Sequence, residues 1–430
     1  MKQKTFIIYA VFFLLVGSFF LYSQQEVVLS IKEGVPAIAI ALPDFIVSKE
    51  SPSAEKAAQT LHQIISKDLN YSGVFQPLPE SYYDYIPSLN PQKIQFKDWE
   101  SIEAKTLLVG QVKAQNDHSY IFEAKLYDVK SQRFILGKRY QAQESLLRRA
   151  AHKMADEIMK AFGEKPIFTS KIVFISNRDG NDELYMMDYD GHNQTRLTFN
   201  NRKDYMPAWS PDGQTIAYTS YRENNACLYT FNPFKGKVNK IHCQGTNYAP
   251  SFSPDGEKIA FCSTIEKGNS EIYVADRSGE NIKRLTFHRA IDTAPSWSPT
   301  GRELAFITDR IGTPQVYIMD AEGSNIRRVS FGSSYHDAPA WSPTGDRLAY
   351  VSRTGFLYDL YVLNLQTNQI TKLTESNARN ETPSWSPDGR HLIFSSNLSG
   401  ASQLYSIDYD GSNLKRLTSK GDNKLPDWSR

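Results

Sequence analysis

Apolar positions recur with two periods along this chain, and the periods divide it. Between residues 35 and 163 both occur. "VPAIAIAL" (35–42), "TLLVGQV" (106–112), "SYIFEAKLYDV" (119–129) and "RFILGKRY" (133–140) read as strands, the third alternating Tyr120, Phe122, Ala124 and Leu126. Ala58, Leu61, Ile65 and Leu69 fall on one helical face, after a start at Ser51 and Pro52 and before a stop at Gly73. Leu147, Ala151, Met154 and Ile158 mark a second helix from Glu144 to Phe162, ended by Gly163. This predicts a mixed α/β domain over 35–163 and a linker over 164–170.

From residue 171 onward the period is two, and the pattern repeats. "PAWSPDG" at Pro207 returns as "PSFSPDG" at Pro250, "PSWSPTG" at Pro295, "PAWSPTG" at Pro339, "PSWSPDG" at Pro383 and a clipped "PDWSR" at Pro426, every 43 to 45 residues. A repeat of that length suits four strands per unit. Ser-Pro-Asp/Thr-Gly is a tight turn, because Pro presets φ and Gly closes it. Strands such as "TIAYTS" and "QVYIMD" follow, then a turn such as Asp408-Tyr409-Asp410-Gly411, then a short strand ending in Arg-Leu-Thr. The first unit, "KIVFISNRDG" (171–180), has no Trp-Ser strand ahead of it, and the last Trp-Ser strand, at Trp428, has nothing after it but two residues. Each orphan completes the other. The expected fold is therefore an α/β N-terminal domain followed by an all-β six-bladed β-propeller over 171–430, with four strands per blade, closed by the C-terminal strand.

The start is different again. Lys2 and Lys4 precede an apolar run over 5–22, which reads as a secretory signal over 1–23, with a retained anchor as the competing reading. Residues 24–34 then form a separate leading segment.

Composition narrows the function classes. Lys and Arg number 49 against 47 Asp and Glu, dispersed along the chain, so a nucleic-acid surface is not expected. Cys227, Cys243 and Cys262 lack metal-ligand spacing. A hairpin centred on Lys235 would set Cys227 opposite Cys243, where a cross-strand disulfide fits, but reduced, buried thiols are the expectation. Asp188 with Asp190, and Asp408 with Asp410, resemble a calcium loop, yet the Gly comes too early, so turn chemistry is expected and no metal or other cofactor. No GxSxG, HExxH or P-loop occurs, and a loop position accounts for the His336–Asp337 pair, so no enzyme is expected.

The residues before each repeat Pro carry the binding candidates. Asp204, Asn247, Asp292, His336, Asn380 and Asn423 stand three residues ahead, all polar, and are read as caps of the turn that crosses from blade to blade. The pairs that follow differ between units: Tyr205-Met206, Tyr248-Ala249, Thr293-Ala294, Asp337-Ala338, Glu381-Thr382 and Lys424-Leu425. In a ring, all six pairs gather at one mouth of the channel as a recognition surface.

A signal segment, a small domain with "VPAIAIALPDF", "LVGQV" and "YIFEAKLYDV", and propeller repeats of the form PxWSPDGxxIAFxS together resemble the TolB family, periplasmic components of the Tol-Pal envelope system of Gram-negative bacteria. The resemblance covers essentially the chain after the signal. It implies a monomeric, non-enzymatic adaptor in the periplasm, without membrane insertion after signal cleavage, supporting envelope integrity and outer-membrane constriction in division. It also implies two partners. A Pal-like outer-membrane lipoprotein would meet the mouth through Tyr205, Met206, Thr246, Asn247, Tyr248, Ala249, Asp292, Thr293, Ala294, His336, Asp337, Glu381, Thr382 and Leu425. The family often has His at the position of Thr246 and Glu at that of Ala294. A TolA-like inner-membrane protein would take Gln24, Gln25, Glu26, Val27, Val28, Leu29 and Ile31, a β-forming stretch suited to strand addition. A gate for a peptidase or hydrolase, and a glycan-binding propeller, are the alternatives.

Overall fold

A Pro in every inner strand and a Gly in every hairpin leave the second half of the chain little choice but short antiparallel strands. In a computed structural model these form six four-stranded sheets arranged as blades. The structure describes residues 36–48, 51–87, 89–116, 118–266, 268–375 and 377–430. The expected signal and the predicted TolA-like contacts from Gln24 to Ile31 lie outside these residues. Among the described residues no helix is long and apolar enough to cross a membrane.

We number the blades from the chain start. Blade 1 has Asn423–Trp428 as its inner strand, followed by Lys171–Ser176, Glu183–Asp188 and Thr195–Arg196. Blades 2 to 6 begin with Asp204–Trp209, Asn247–Phe252, Asp292–Trp297, His336–Trp341 and Asn380–Trp385. The C-terminal strand thus closes the ring, with Asn423 opposite Ser176 and Trp428 opposite Ile172. Ser429 and Lys171 lock the seam. The Lys171 N–H donates to Ser429 Oγ (2.9 Å), and the Ser429 N–H donates to the Lys171 carbonyl (2.8 Å).

The α/β domain has a sheet in the order Phe75–Pro77, Ile38–Ala41, Thr106–Asn116, Ser119–Asp128, Phe134–Gln143, with the first two pairings parallel. Ile46–Val47 also pairs with Thr106–Asn116. The helix Pro52–Tyr71 has Pro at its first turn and Gly73 in left-handed backbone beyond its end. The second helix is Leu147–Ala161; the expected start at Glu144 is instead a 3-10 turn, Glu144–Leu146. Leu61, Ile65, Met154 and Ile158 bury against Leu108 and Phe122 of the sheet.

That core does not stop at the domain edge. It runs through Phe162, Ile167 and Phe168 into Ile172, Tyr189, Ile393 and Trp428 of blades 1 and 6. The segment expected as a linker is therefore packed. Asp156 accepts the N–H groups of Phe168 (2.8 Å) and Thr169 (3.0 Å). Trp428 Nε1–H donates to Ser170 Oγ (2.7 Å), and Tyr71 stacks on His391 at 4.1 Å. Tyr189 O–H donates to Asp68, which also bonds His152 (2.7 Å). All these contacts lie at the end of blades 1 and 6 where the Ser-Pro turns sit. The opposite mouth faces away from the α/β domain.

Candidate functional site: the free mouth of the channel

Each inner strand meets the same backbone problem. A repeat Pro has no N–H to give to the ladder, so pairing must skip it. In all six blades the register shifts across it: Asp204 and Tyr205 pair with Ser220 and Thr219, and pairing resumes at Ala208 with Ala217. The extra residue forms a bulge. It is Met206, Ala249, Ala294, Ala338, Thr382 or Leu425, each with φ between 49° and 54°. None of these residue types favours left-handed backbone, so the strain is held by the sheet around it. The residues read from sequence as crossing-turn residues are therefore the opening residues of the inner strands, and the bulge, not a loop, aims them.

The six bulge residues line one channel with a cavity of about 230 Å³. Below them the wall is small, with Ala208, Ser251, Ser296, Ala340 and Ser384, except for Asp427. Asp427 spans the seam: it accepts the Trp209 N–H of blade 2 (2.6 Å) and the Ser384 hydroxyl of blade 6 (2.9 Å). Burial pushes its carboxyl up.

The rim carries chemically different groups. Tyr205 O–H donates to Asp182 (2.6 Å), and Lys424 Nζ lies 3.2 Å from the same carboxylate and 5.0 Å from the centre of the Tyr205 ring. Tyr248 shares a hydrogen bond with Ser270 (2.6 Å). Thr293 contacts the buried Cys262 thiol, which burial pushes up to about 12. Asp337 accepts Tyr335 O–H (2.9 Å). Burial raises the Glu381 carboxyl; nearby Arg379 opposes that and Asp337 adds to it. Thr246 is exposed. One side of the mouth is thus aromatic with a lysine, and the other is acidic.

The polar residues three ahead of each Pro are buried beneath this rim. Asn247 donates to the carbonyls of Gln244 (3.1 Å) and Gly245 (3.2 Å) and accepts from Ser263 (2.7 Å). Asp292 pairs with Arg310 at 3.4 Å. Neither ring nitrogen of His336 makes a close hydrogen bond among the described residues, and burial pushes it down to about 4. Asn247, Asp292 and His336 therefore belong to the wall that holds the rim, below the surface a partner would touch.

Blade 2 closes its outer edge differently from its sisters. In blades 3 to 6 a hydroxyl donates to a side chain at or near the start of the third strand, fifteen residues earlier: Thr286 to Glu271 (2.6 Å), Ser330 to Gln315 (2.9 Å), Thr374 to Asp359 (2.7 Å) and Thr418 to Gln403 (2.8 Å). In blade 2 that place belongs to Cys227, which is disulfide-bonded to Cys243, 16 residues on. The expectation of reduced thiols is overturned. A register shift between Leu228 and Tyr229 absorbs the extra residue and brings the cysteines together. The bond anchors the segment that leads to Thr246 and Tyr248.

Sequence reading missed Asp182 and Asp427. Asp182 sits in a hairpin with no repeat signal. Asp427 was visible as the one acid where the other copies have Ala or Ser. Potential metal ligands also converge at His152, Asp188 and Asp190, within 4.8 Å of one another. Lys171 bonds Asp188 and Arg148 bonds Asp190, so this cluster is an ion-pair network.

Residues 159–355 and 334–430 match the family model of the TolB beta propeller domain, and 27–135 match that of the TolB amino-terminal domain. A protein TolB homolog of Chlorobium chlorochromatii is 32% identical over 282 residues, 65% of this chain and 63% of its own. A Tol-Pal system protein TolB of Dinoroseobacter shibae is 35% identical over 280 residues, 62% of this chain and 61% of its own. The alignments thus span under two thirds of these curated relatives. The crystal structure of TolB from Acinetobacter baumannii superposes with a TM-score of 0.76 at 27% identity, covering 91% of this chain and 96% of that one.

Proposed function

We propose, starting from the fact that this chain belongs to the TolB family, that it is a non-catalytic adaptor of a Tol-Pal system in the periplasm. Its relatives carry that system in their names. In this reading a Pal-like lipoprotein docks on the free mouth of the channel, and a TolA-like protein takes residues 24–33. The observation that carries the reading is the ring of six bulges. Their backbone is constant while the side chains they and their neighbours present differ from blade to blade. Tyr205, Met206, Tyr248 and Leu425 supply the aromatic and apolar anchors that dominate binding energy, and Asp337 and Glu381 supply a polar rim. The α/β domain leaves this mouth open, so a partner needs no domain rearrangement to reach it.

In this reading the closest His–carboxylate pairs among the described residues are structural: His152–Asp68 and His391–Asp408 (2.7 Å each) are in the domain junction, one bonded by Tyr189 and the other stacked on Tyr71. Neither faces the channel. The test is capture from envelope extract with the purified protein as bait, read by mass spectrometry. A peptidoglycan-associated lipoprotein and a TolA-like protein should be enriched; recovery of a peptidase or of glycan fragments in their place would sink the reading.

A further inference from the structure

Exposed apolar side chains crowd one half of the mouth face, outside the rim. The segment from blade 3 to blade 4 carries Phe287, 75% exposed, and then exposed Ile291, before it reaches Thr293. The hairpin of blade 4 carries exposed Ile311. The segment from blade 4 to blade 5 carries Phe331, 60% exposed, before Tyr335 and Asp337, and the hairpin of blade 5 carries Phe356, 88% exposed. These pieces are tied together. The Ile291 N–H donates to Asp309 Oδ1 in the blade 4 hairpin, and Ser333 Oγ donates to the Arg353 carbonyl beside the blade 5 turn, both at 2.8 Å. Among the described residues, the other half of this face carries Leu398, Phe199 and Tyr221 outside the rim, one to a blade.

Two of the phenylalanines sit on anchored cations. Arg284 lies 4.8 Å from the centre of the Phe287 ring, and Arg328 lies 4.8 Å from that of Phe331. Arg284 Nε–H donates to the Thr286 carbonyl (2.7 Å) and its Nη2 to Glu271 (2.8 Å). Arg328 Nε–H donates to the Ser330 carbonyl (2.5 Å) and its Nη2 to Gln315 (2.8 Å). The guanidinium attracts the ring face, so each ring is held in place while it stays open to solvent. An aromatic fixed in advance loses little freedom on binding and makes a strong anchor. Phe199 has the same seat on Arg196, but its neighbours in sequence are Asn200, Asn201, Arg202 and Lys203.

We propose that the apolar lobe of Phe287, Ile291, Ile311, Phe331 and Phe356 is a second docking area for the partner that takes the channel mouth, and that this partner sits off-centre, over blades 3 to 5. The inference rests on the reading that a Pal-like lipoprotein occupies the mouth. The lobe is continuous with that site, because the segments that carry Phe287 and Phe331 run directly on to Thr293 and Asp337 of the rim. It also says what kind of partner fits. Inner and outer strands of a blade are three strand spacings apart, roughly 14 Å. A partner that fills the mouth and reaches both phenylalanines must spread over two blades and across that distance. A folded domain does so, and a single extended peptide does not.

The test is titration calorimetry of the purified protein with a purified Pal-like lipoprotein. Phe287→Ser/Phe331→Ser/Phe356→Ser should weaken binding at least about tenfold, with the melting temperature unchanged because all three side chains are exposed. Phe199→Ser/Leu398→Ser, on the other half of the face, should cost less than about threefold. Undiminished affinity in the triple variant, beside a loss in Tyr248→Ala/Thr293→Arg, would overturn the lobe and leave the mouth standing. Equal losses from the two halves would overturn the off-centre placement. No lipoprotein binding by the unsubstituted protein would overturn the mouth reading itself, and the lobe with it.

Discussion

The two ends of the six inner strands obey different rules. At the Ser-Pro end the backbone fixes everything. The serine N–H donates to the carbonyl opening the second strand at 2.7 to 2.9 Å in all six copies, from Ser210 with Thr215 to Ser429 with Lys171. Its neighbours in blades 1 and 6 are buried against the α/β domain. At the free mouth the backbone is equally constant, a bulge with φ near 50° in every blade, but its side chains are Tyr, Tyr, Thr, Asp, Glu and Lys in turn. The difference teaches where sequence is free to specify a partner. One end spends its side chains on holding blades and domains together, and the other keeps one backbone shape over a buried polar wall while its rim side chains vary.

Breaking the first end should have the largest effect. Deleting residues 424–430 removes the inner strand of blade 1, Trp428 and the Asp427 bridge at once. The propeller should lose its cooperative melting transition. A truncated protein melting within a degree or two of the intact one would contradict ring closure. Next comes the junction. Asp68→Ala strands His152 and the Tyr189 hydroxyl in a buried site, which costs about 3 kcal/mol. Denaturant unfolding would measure that, and lipoprotein binding at the far mouth should not move.

The disulfide sharpens the comparison because it serves the mouth from the side. Replacing Cys227 and Cys243 with serine should destabilise the protein by about 2 kcal/mol and raise amide exchange over residues 243–246. Cys227→Gln with Cys243→Thr copies the polar clasp of blade 6 and should recover part of the loss; exchange as fast as in the serine variant would show that the clasp does not transfer.

The smallest effect is a pH dependence. His336 is buried and its folded value is about 4, against about 6.5 when unfolded. The unfolded chain therefore takes up the proton first as pH falls. This contribution to stability is complete above pH 6.5 and is lost as pH falls toward 4. His336→Asn, the residue of blades 1, 3 and 6, should flatten the melting temperature over that window. An unchanged slope would mean that the ring is not held neutral.

The repeat, the blade count and the ring closure were legible because Pro-x-Trp-Ser-Pro marks them and its first and last copies are incomplete. The direction of the mouth was legible too, but its mechanism was not. Met206, Thr382 and Leu425 are poor left-handed residues, and only the Pro that follows forces the bulge. The disulfide was geometrically legible about Lys235. The general rarity of paired thiols argued against it, and the register shift that favours it is written in no residue type. The short helices Glu80–Tyr85 and Phe96–Ser101 gave no signal, since Tyr83 and Trp99 pack there without a helical stripe.

The central claim is that the free mouth carries the recognition surface. Titration calorimetry of Tyr248→Ala/Thr293→Arg against a purified Pal-like lipoprotein and a TolA-like domain tests it directly. Both residues stand at the rim and neither belongs to the buried wall. Losing an aromatic anchor and adding a bulky charge should weaken lipoprotein binding at least tenfold, about 1.4 kcal/mol or more, with melting temperature and TolA-like binding unchanged. Undiminished lipoprotein affinity in the folded double variant would contradict the account and place the partner on another face.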